Sequence, residues 1–113
     1  MVAALAPLQT LAELDRALAE SHRCPVLFFK HSPRCEASGA AYDELLQYLA
    51  SAPDDVARYL LVIPAARPAS DALAARFGIR HESPQAILVR DGQAVWHAEH
   101  WAINQSSLGA HHA

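Results

Sequence analysis

Val26-Leu27-Phe28-Phe29-Lys30-His31-Ser32-Pro33-Arg34-Cys35-Glu36-Ala37-Ser38 is the stretch that decides the fold. Pro25 precedes a run that is apolar on both faces, which reads as a fully buried strand over Val26 to Lys30. His31-Ser32-Pro33-Arg34 breaks that run. From Cys35, the residues Tyr42, Leu45, Leu46 and Leu49 recur at helical spacing until Ser51, Pro53 and Asp54 end the helix. Strand, turn and thiol at a helix start place a sulfur where the first backbone N–H groups and the helix dipole favour negative charge. The thiolate is the nucleophilic form of cysteine, and helix N-termini are among the places that stabilise it. Ser38 stands where a C-x-x-C pair would carry its second sulfur. The chain therefore reads as a thiol–disulfide protein with a single redox cysteine at its site.

Outward from that stretch, Thr10 and Glu13 form a candidate capping box. The helix it opens runs to about Leu18, with Leu11, Leu14 and Leu18 on one face. Tyr59-Leu60-Leu61-Val62-Ile63 is a second buried strand. Ser70 can cap a short Ala-rich helix holding Leu73 and Phe77, closed by Gly78 as a left-handed cap. Ser83-Pro84 leads into Ala86-Ile87-Leu88-Val89, then Asp91-Gly92, then Ala94-Val95-Trp96, a strong hairpin signal. A last short helix starts near Asn104. The first two strands, joined by a helix, should be parallel by the right-handed crossover rule, and the final pair antiparallel. The expected fold is α/β: a central mixed four-stranded sheet, with room for a fifth edge strand, flanked by helices on both faces. That is the arrangement of thioredoxin-like domains. Residues 1–113 read as one domain, with 1–9 and 109–113 as peripheral tails.

Composition narrows the function classes. The 113 residues are 52% apolar and carry a formal net charge of −3, and their basic residues are scattered. Nothing there would neutralise a run of phosphates, so nucleic acid is not an expected partner. No apolar stretch approaches the roughly 20 residues that span a bilayer. Met1 to Pro7 has neither the positive start nor the long apolar segment of a secretory signal. Two cysteines in such a chain point to a reducing cytoplasm rather than to a disulfide scaffold.

Pro84 begins a strand about fifty residues after the thiol. In this fold a proline at that place is expected in the cis form beside the redox sulfur, leaving the Ser83 backbone free to pair with an extended substrate; an ordinary trans proline is the alternative. If that strand starts beside Cys35, the Asp91-Gly92 hairpin returns His97 to Trp101 toward the thiol. His100 and Trp101 are then walls of a substrate groove; otherwise Trp101 caps the core and His100 faces solvent. His31 either stabilises the thiolate or caps its strand. Cys24 is either a buried small hydrophobe or a resolving thiol, the latter requiring Cα atoms within about 7 Å. His111-His112 without further ligands at metal spacing make a poor metal site.

The run Phe28 to Ser38, the segment His81-Glu82-Ser83-Pro84-Gln85, and the later Trp96-His97, His100-Trp101 and Asn104 together resemble YtxJ-type, monothiol bacilliredoxin-like proteins of the bacillithiol system. The resemblance spans about Leu11 to Asn104. Pro33 and Glu36 depart from it, standing where a small polar residue and a proline are expected. Glu36, one residue from the thiol, partly opposes an anion there. The resemblance implies a thioredoxin-like fold and removal of bacillithiol, or a similar low-molecular-weight thiol, from mixed disulfides on client proteins. Cys35 is then the nucleophile, with Ser38 and Pro84 beside it. Ser38 cannot resolve the resulting adduct, so a second small thiol or another redox protein must do so. Lys30, Arg34 and Arg80 are the cations available to a ligand carrying carboxylates, each with a solvated surface charge as its alternative. With His31, Ser83, His100 and Trp101 they complete the expected site. No bound cofactor or metal is expected. Two other functions compete: an iron–sulfur carrier like monothiol glutaredoxins, and a thioredoxin-like binding module whose thiol is incidental.

Overall fold

A computed structural model describes residues 4–113. Its elements follow in the order β1 (Ala6–Pro7), α1 (Leu11–Glu20), β2 (Val26–His31), α2 (Glu36–Leu49), β3 (Ala57–Val62), α3 (Arg67–Phe77), β4 (Gln85–Arg90), β5 (Gln93–Glu99), a 3-10 turn (His100–Ala102) and α4 (Gln105–Ala110). One five-stranded sheet has the order β1-β3-β2-β4-β5. β1, β3 and β2 pair in parallel, and β2/β4 and β4/β5 are antiparallel. The sheet is thus mixed, as the crossover and hairpin signals required, and its fifth strand, β1, forms one edge with β5 at the other.

Alternation along β2 divides the core. Leu27 and Phe29 face α2 and α4, where Leu45, Leu49, Leu88, Ile103 and Leu108 are buried with them. Val26 and Phe28 face the other way, toward α1 and α3, among Leu14, Leu18, Leu61, Leu73 and Ile87. The helix stripes are narrower than their spacing suggested, since Leu11 and Leu46 are exposed. α1 opens with the capping box: Thr10 Oγ1 accepts the Glu13 N–H, and the Glu13 carboxylate accepts the Thr10 N–H. Those backbone donors hold the Glu13 carboxyl below its usual range.

Three local expectations are corrected. α3 starts at Arg67, with proline in its first turn, so Ser70 is a buried residue within the helix and not its cap. The N-terminal segment is no loose tail over its described part: β1 pairs with β3, and Leu8 is fully buried. Residues 1–3 of that tail lie outside the described residues. At the other end, the Arg58 guanidinium donates through Nη2 (2.8 Å) and Nε (3.2 Å) to the main-chain oxygen of Ala113, which is itself buried. The C-terminal residues are thereby held against β3.

Candidate functional site

Cys35 is the N-cap of α2, in extended conformation with φ −97° and ψ 125°. Its N–H donates to the Ser32 carbonyl at 2.9 Å, and its own carbonyl accepts the Gly39 N–H at 3.0 Å. The thiol makes no capping hydrogen bond and stays partly exposed. It sits at a helix end where unpaired N–H groups and the macrodipole favour an anion.

Ser38 organises this corner. It is fully buried, and its Oγ accepts the Ser32 N–H at 2.9 Å and lies 2.9 Å from His31 Nδ1. With the Ser32 N–H already donated to it, the hydroxyl's own proton has one acceptor among these contacts, the unprotonated His31 Nδ1. Burial pushes the His31 pKa down, in keeping with that neutral ring. The imidazole also stacks on Tyr42, with ring centroids 4.7 Å apart, and beyond it on Phe29. His31 therefore holds the inner side of the thiol loop, and no hydrogen bond joins it to Cys35 among the described residues.

The Pro84 corner joins the same end of the sheet. Lys30 pairs with Gln85, and Gln85 with Glu99, so the end of β2, the start of β4 and the end of β5 lie in one row. Ser32 Oγ and Ser83 Oγ are 2.7 Å apart, the Ser83–Pro84 peptide is cis, and the Pro84 carbonyl accepts the His100 N–H at 3.2 Å. The hairpin thus returns the chain beside Pro84, as its position in the sequence required. His100 is exposed, with Nε2 3.9 Å from the Glu82 carboxylate. Trp101 does not cap the core: it is 70% accessible and lines a groove against α2.

The three cations separate. Arg34 is exposed beside Cys35, with no side-chain hydrogen bond or ion pair among the described residues. Arg80 is exposed and lines a cavity of about 410 Å³ with Glu82, His97, Glu99 and His100. Lys30, expected to meet a ligand, is instead fully buried on the α3 face. Its Nζ donates to the Ser70 carbonyl at 3.2 Å and lies 3.4 Å from His81 Nδ1. Burial lowers its pKa to about 8, and burial together with the Lys30 charge lowers that of His81. A strand's alternation explains the correction: Lys30 follows Phe28 to one side while His31 follows Phe29 to the other.

Cys24 is partly exposed at the other end of β2, its N–H donated to the Glu20 carbonyl. His112 Nε2 contacts the Asp55 carboxylate at 2.9 Å and the His111 ring stacks on Trp96, so these two histidines are spent on separate contacts. Among the described residues no group of three or more metal-binding side chains converges, and no helix is long and apolar enough to cross a membrane. Tyr42, expected only as part of the apolar stripe of α2, is the stacking partner of His31. Gln85, expected only as the last residue of the His81–Gln85 segment, donates through its amide to the Arg80 carbonyl and to Glu99. Neither residue carries a local signal of such a role.

A family model, monothiol bacilliredoxin BrxC, matches residues 6–108. The chain belongs to the monothiol bacilliredoxin family. Among solved structures, a candidate oxidoreductase with a thioredoxin fold is 32% identical, with a TM-score of 0.83 over 94% of this chain and 91% of that one. The thioredoxins of Malassezia sympodialis and Fasciola hepatica are 14% and 17% identical. Their TM-scores are 0.74 and 0.72, and the matches cover 97% and 94% of this chain and 89% and 94% of theirs. Those two likenesses establish the thioredoxin fold alone. Bacilliredoxin membership places the chain among thiol oxidoreductases, and within that family frame Cys35 at the head of α2 is the sulfur to consider.

Proposed function

We propose that this chain removes bacillithiol, or a closely similar small thiol, from mixed disulfides on client proteins, acting through Cys35 alone. The observation that carries the reading is the pairing of a partly exposed thiol at the N-cap of α2 with a buried serine three residues on. Ser38 already makes two hydrogen bonds and supplies no second sulfur.

The Cys35 thiolate attacks the bacillithiol sulfur of a client–bacillithiol disulfide. A Cys35–bacillithiol bond forms as the client–bacillithiol bond breaks, and the client sulfur leaves as thiolate and takes a proton from solvent. Two sulfurs remain oxidised throughout, so this step is exchange without net oxidation. A second small thiol or a dithiol protein then attacks the adduct and regenerates Cys35, in the reducing cytoplasm we assign to the chain. The small thiol is a co-substrate and not a resident cofactor. Arg34, exposed beside the sulfur, is the cation suited to a carboxylate-bearing thiol. Ser83, Pro84 and His100 border the place where the client chain would lie. Ser38 and His31 act as positioning residues, shaping the loop rather than touching sulfur.

The test uses a client protein carrying a bacillithiol mixed disulfide. The unaltered chain and Cys24→Ser should both free the client thiol and show one bacillithiol adduct by mass spectrometry, mapped to Cys35. Cys35→Ser should do neither. An adduct on Cys24 and never on Cys35 would overturn the assignment.

A further inference from the structure

Among the described residues Trp101 is the most exposed large apolar side chain, at 70% accessible. One exposed indole needs no explanation by itself. Its placement does. His100 adopts a left-handed conformation, φ 51°, which is sterically costly for a residue with a Cβ. The bend turns the chain out of β5 into the short turn that carries Trp101 to the flank of α2. There a groove of about 340 Å³ lies between the indole and the helix. Ala40, Ala41 and Ile103 give it an apolar floor, and Asp43 and Glu44 give it a carboxylate rim. One Glu44 oxygen accepts the Gln105 N–H at 3.1 Å; Asp43 makes no side-chain hydrogen bond among the described residues. Glu36, exposed in the first turn, is seven residues before Asp43 and so on the same helix face.

An aromatic face beside two carboxylates is the chemistry that receives a cation: ring quadrupole and charges act in the same direction. The volume is near the lower end of the range for small-ligand pockets, about 300–1,000 Å³, and suits one long side chain. A small thiol rich in carboxylates would be repelled there. The distance to the thiol also fits. Ala40 and Asp43 follow Cys35 by five and eight residues, so they lie about 8 and 12 Å along the helix from it. An extended client chain rises about 3.3 Å per residue, so three or four residues cover that span.

We propose that the groove between Trp101 and α2 receives a lysine or arginine side chain of the client protein, about three residues from the client cysteine whose mixed disulfide Cys35 opens. This rests on the exchange reading above and gives it a client preference. Small anionic thiol and basic client would then occupy different flanks of the same sulfur.

The test needs no bacillithiol. Short peptides with one central cysteine are prepared as thionitrobenzoate mixed disulfides, with arginine, lysine or glutamate three residues before or after it. Cys35 thiolate attacks the peptide sulfur, forms a Cys35–peptide disulfide and expels coloured thionitrobenzoate, the better leaving group. In Cys24→Ser protein, arginine or lysine peptides should react ~3- to 10-fold faster than their glutamate counterparts in at least one series. That ratio should fall toward one in Trp101→Ala, in the double variant Asp43→Asn with Glu44→Gln, and in high salt. Equal rates for basic and acidic peptides, or a preference that survives Trp101→Ala, would overturn the proposal. So would a concentration-dependent dimer, seen by sedimentation, that Trp101→Ala abolishes, because the groove would then belong to a second copy. Reaction of Cys35 with neutral dithiodipyridine separates the two levels. Normal reaction with no peptide preference removes only the groove proposal, whereas an inert Cys35 removes the exchange reading and the proposal with it.

Discussion

Ser38 Oγ accepts the backbone N–H of Ser32 at 2.9 Å, so the hydroxyl in the place of a second redox sulfur fastens the loop that carries Cys35 to the first turn of α2. Ser38→Ala leaves that partly buried N–H without its partner, and His31 Nδ1 as well. A stability loss of about 1–3 kcal/mol is expected by urea denaturation. Exchange at Cys35 should persist, slowed by a few-fold, because only the loop's position is disturbed. Complete loss of the first attack in a folded Ser38→Ala protein would give the hydroxyl a chemical part that its contacts do not suggest.

Lys30 predicts an alkaline effect. The folded chain holds its ammonium at about 8 against an ordinary 10.5 because burial disfavours the charge. Between those values the unfolded chain binds more protons, so this group's contribution to stability rises as pH is raised through the window. It is fully present above 10.5 and lost as pH falls through 8. Lys30→Met should stabilise the protein by about 1–3 kcal/mol at pH 7, and the gain should shrink toward zero near pH 10. Denaturation midpoints of both proteins across pH 7–10.5 check this; a gain that does not vary with pH would refute it.

His31 predicts an acid effect. Its folded pKa lies below the ordinary 6.5 because burial disfavours the imidazolium, so its contribution is present above 6.5 and lost as pH falls through the lowered value. His31→Phe keeps a flat ring against Tyr42 and has nothing to protonate. The variant should start less stable at pH 7.5, having lost the Ser38 acceptor, yet decline less steeply between pH 6.5 and 4.5. Parallel curves for the two proteins would count against a buried neutral His31.

Gly92 follows Asp91 in the β4–β5 turn, with φ values of 74° and 49°. A Cβ on Gly92 would meet the His22 ring at 3.2 Å. Gly92→Ala should destabilise by about 1–2 kcal/mol, lowering Tm by roughly 4–10 °C. The turn lies at the end of the sheet away from Cys35, so exchange rates below the transition should not change.

How much of this was legible varies by element, for physical reasons. The capping box at Thr10 and Glu13, the Asp91-Gly92 turn and the strand–thiol–helix order are local signals, and each appears at its place. β1 is two residues long and ends in proline, so it had no periodicity to read; only tertiary pairing with β3 makes it a strand. At α3 the two local signals compete: Ser70 has the chemistry of a cap, but Pro68 marks the first turn and the helix starts at Arg67. Lys30 departs further from its local signal. A lysine after four apolar residues usually lifts its ammonium into water, but here α3 closes over it. The Ser38 latch and the Trp101 groove depend on contacts between segments far apart in sequence, which no spacing rule reports.

β2 has a further consequence. Its six residues, at about 3.3 Å each, separate the ends where Cys24 and Cys35 sit by nearly 20 Å, far beyond the ~7 Å that a Cα pair allows a sulfur bridge. A single molecule thus has no internal site in which to bank an oxidation event. Under the exchange proposed above, an equivalent taken up at Cys35 would stay there as a mixed disulfide, and its occupancy would follow the ratio of free to paired small thiols around it. On that proposal the chain would be a gauge of that pool as much as a tool acting on it.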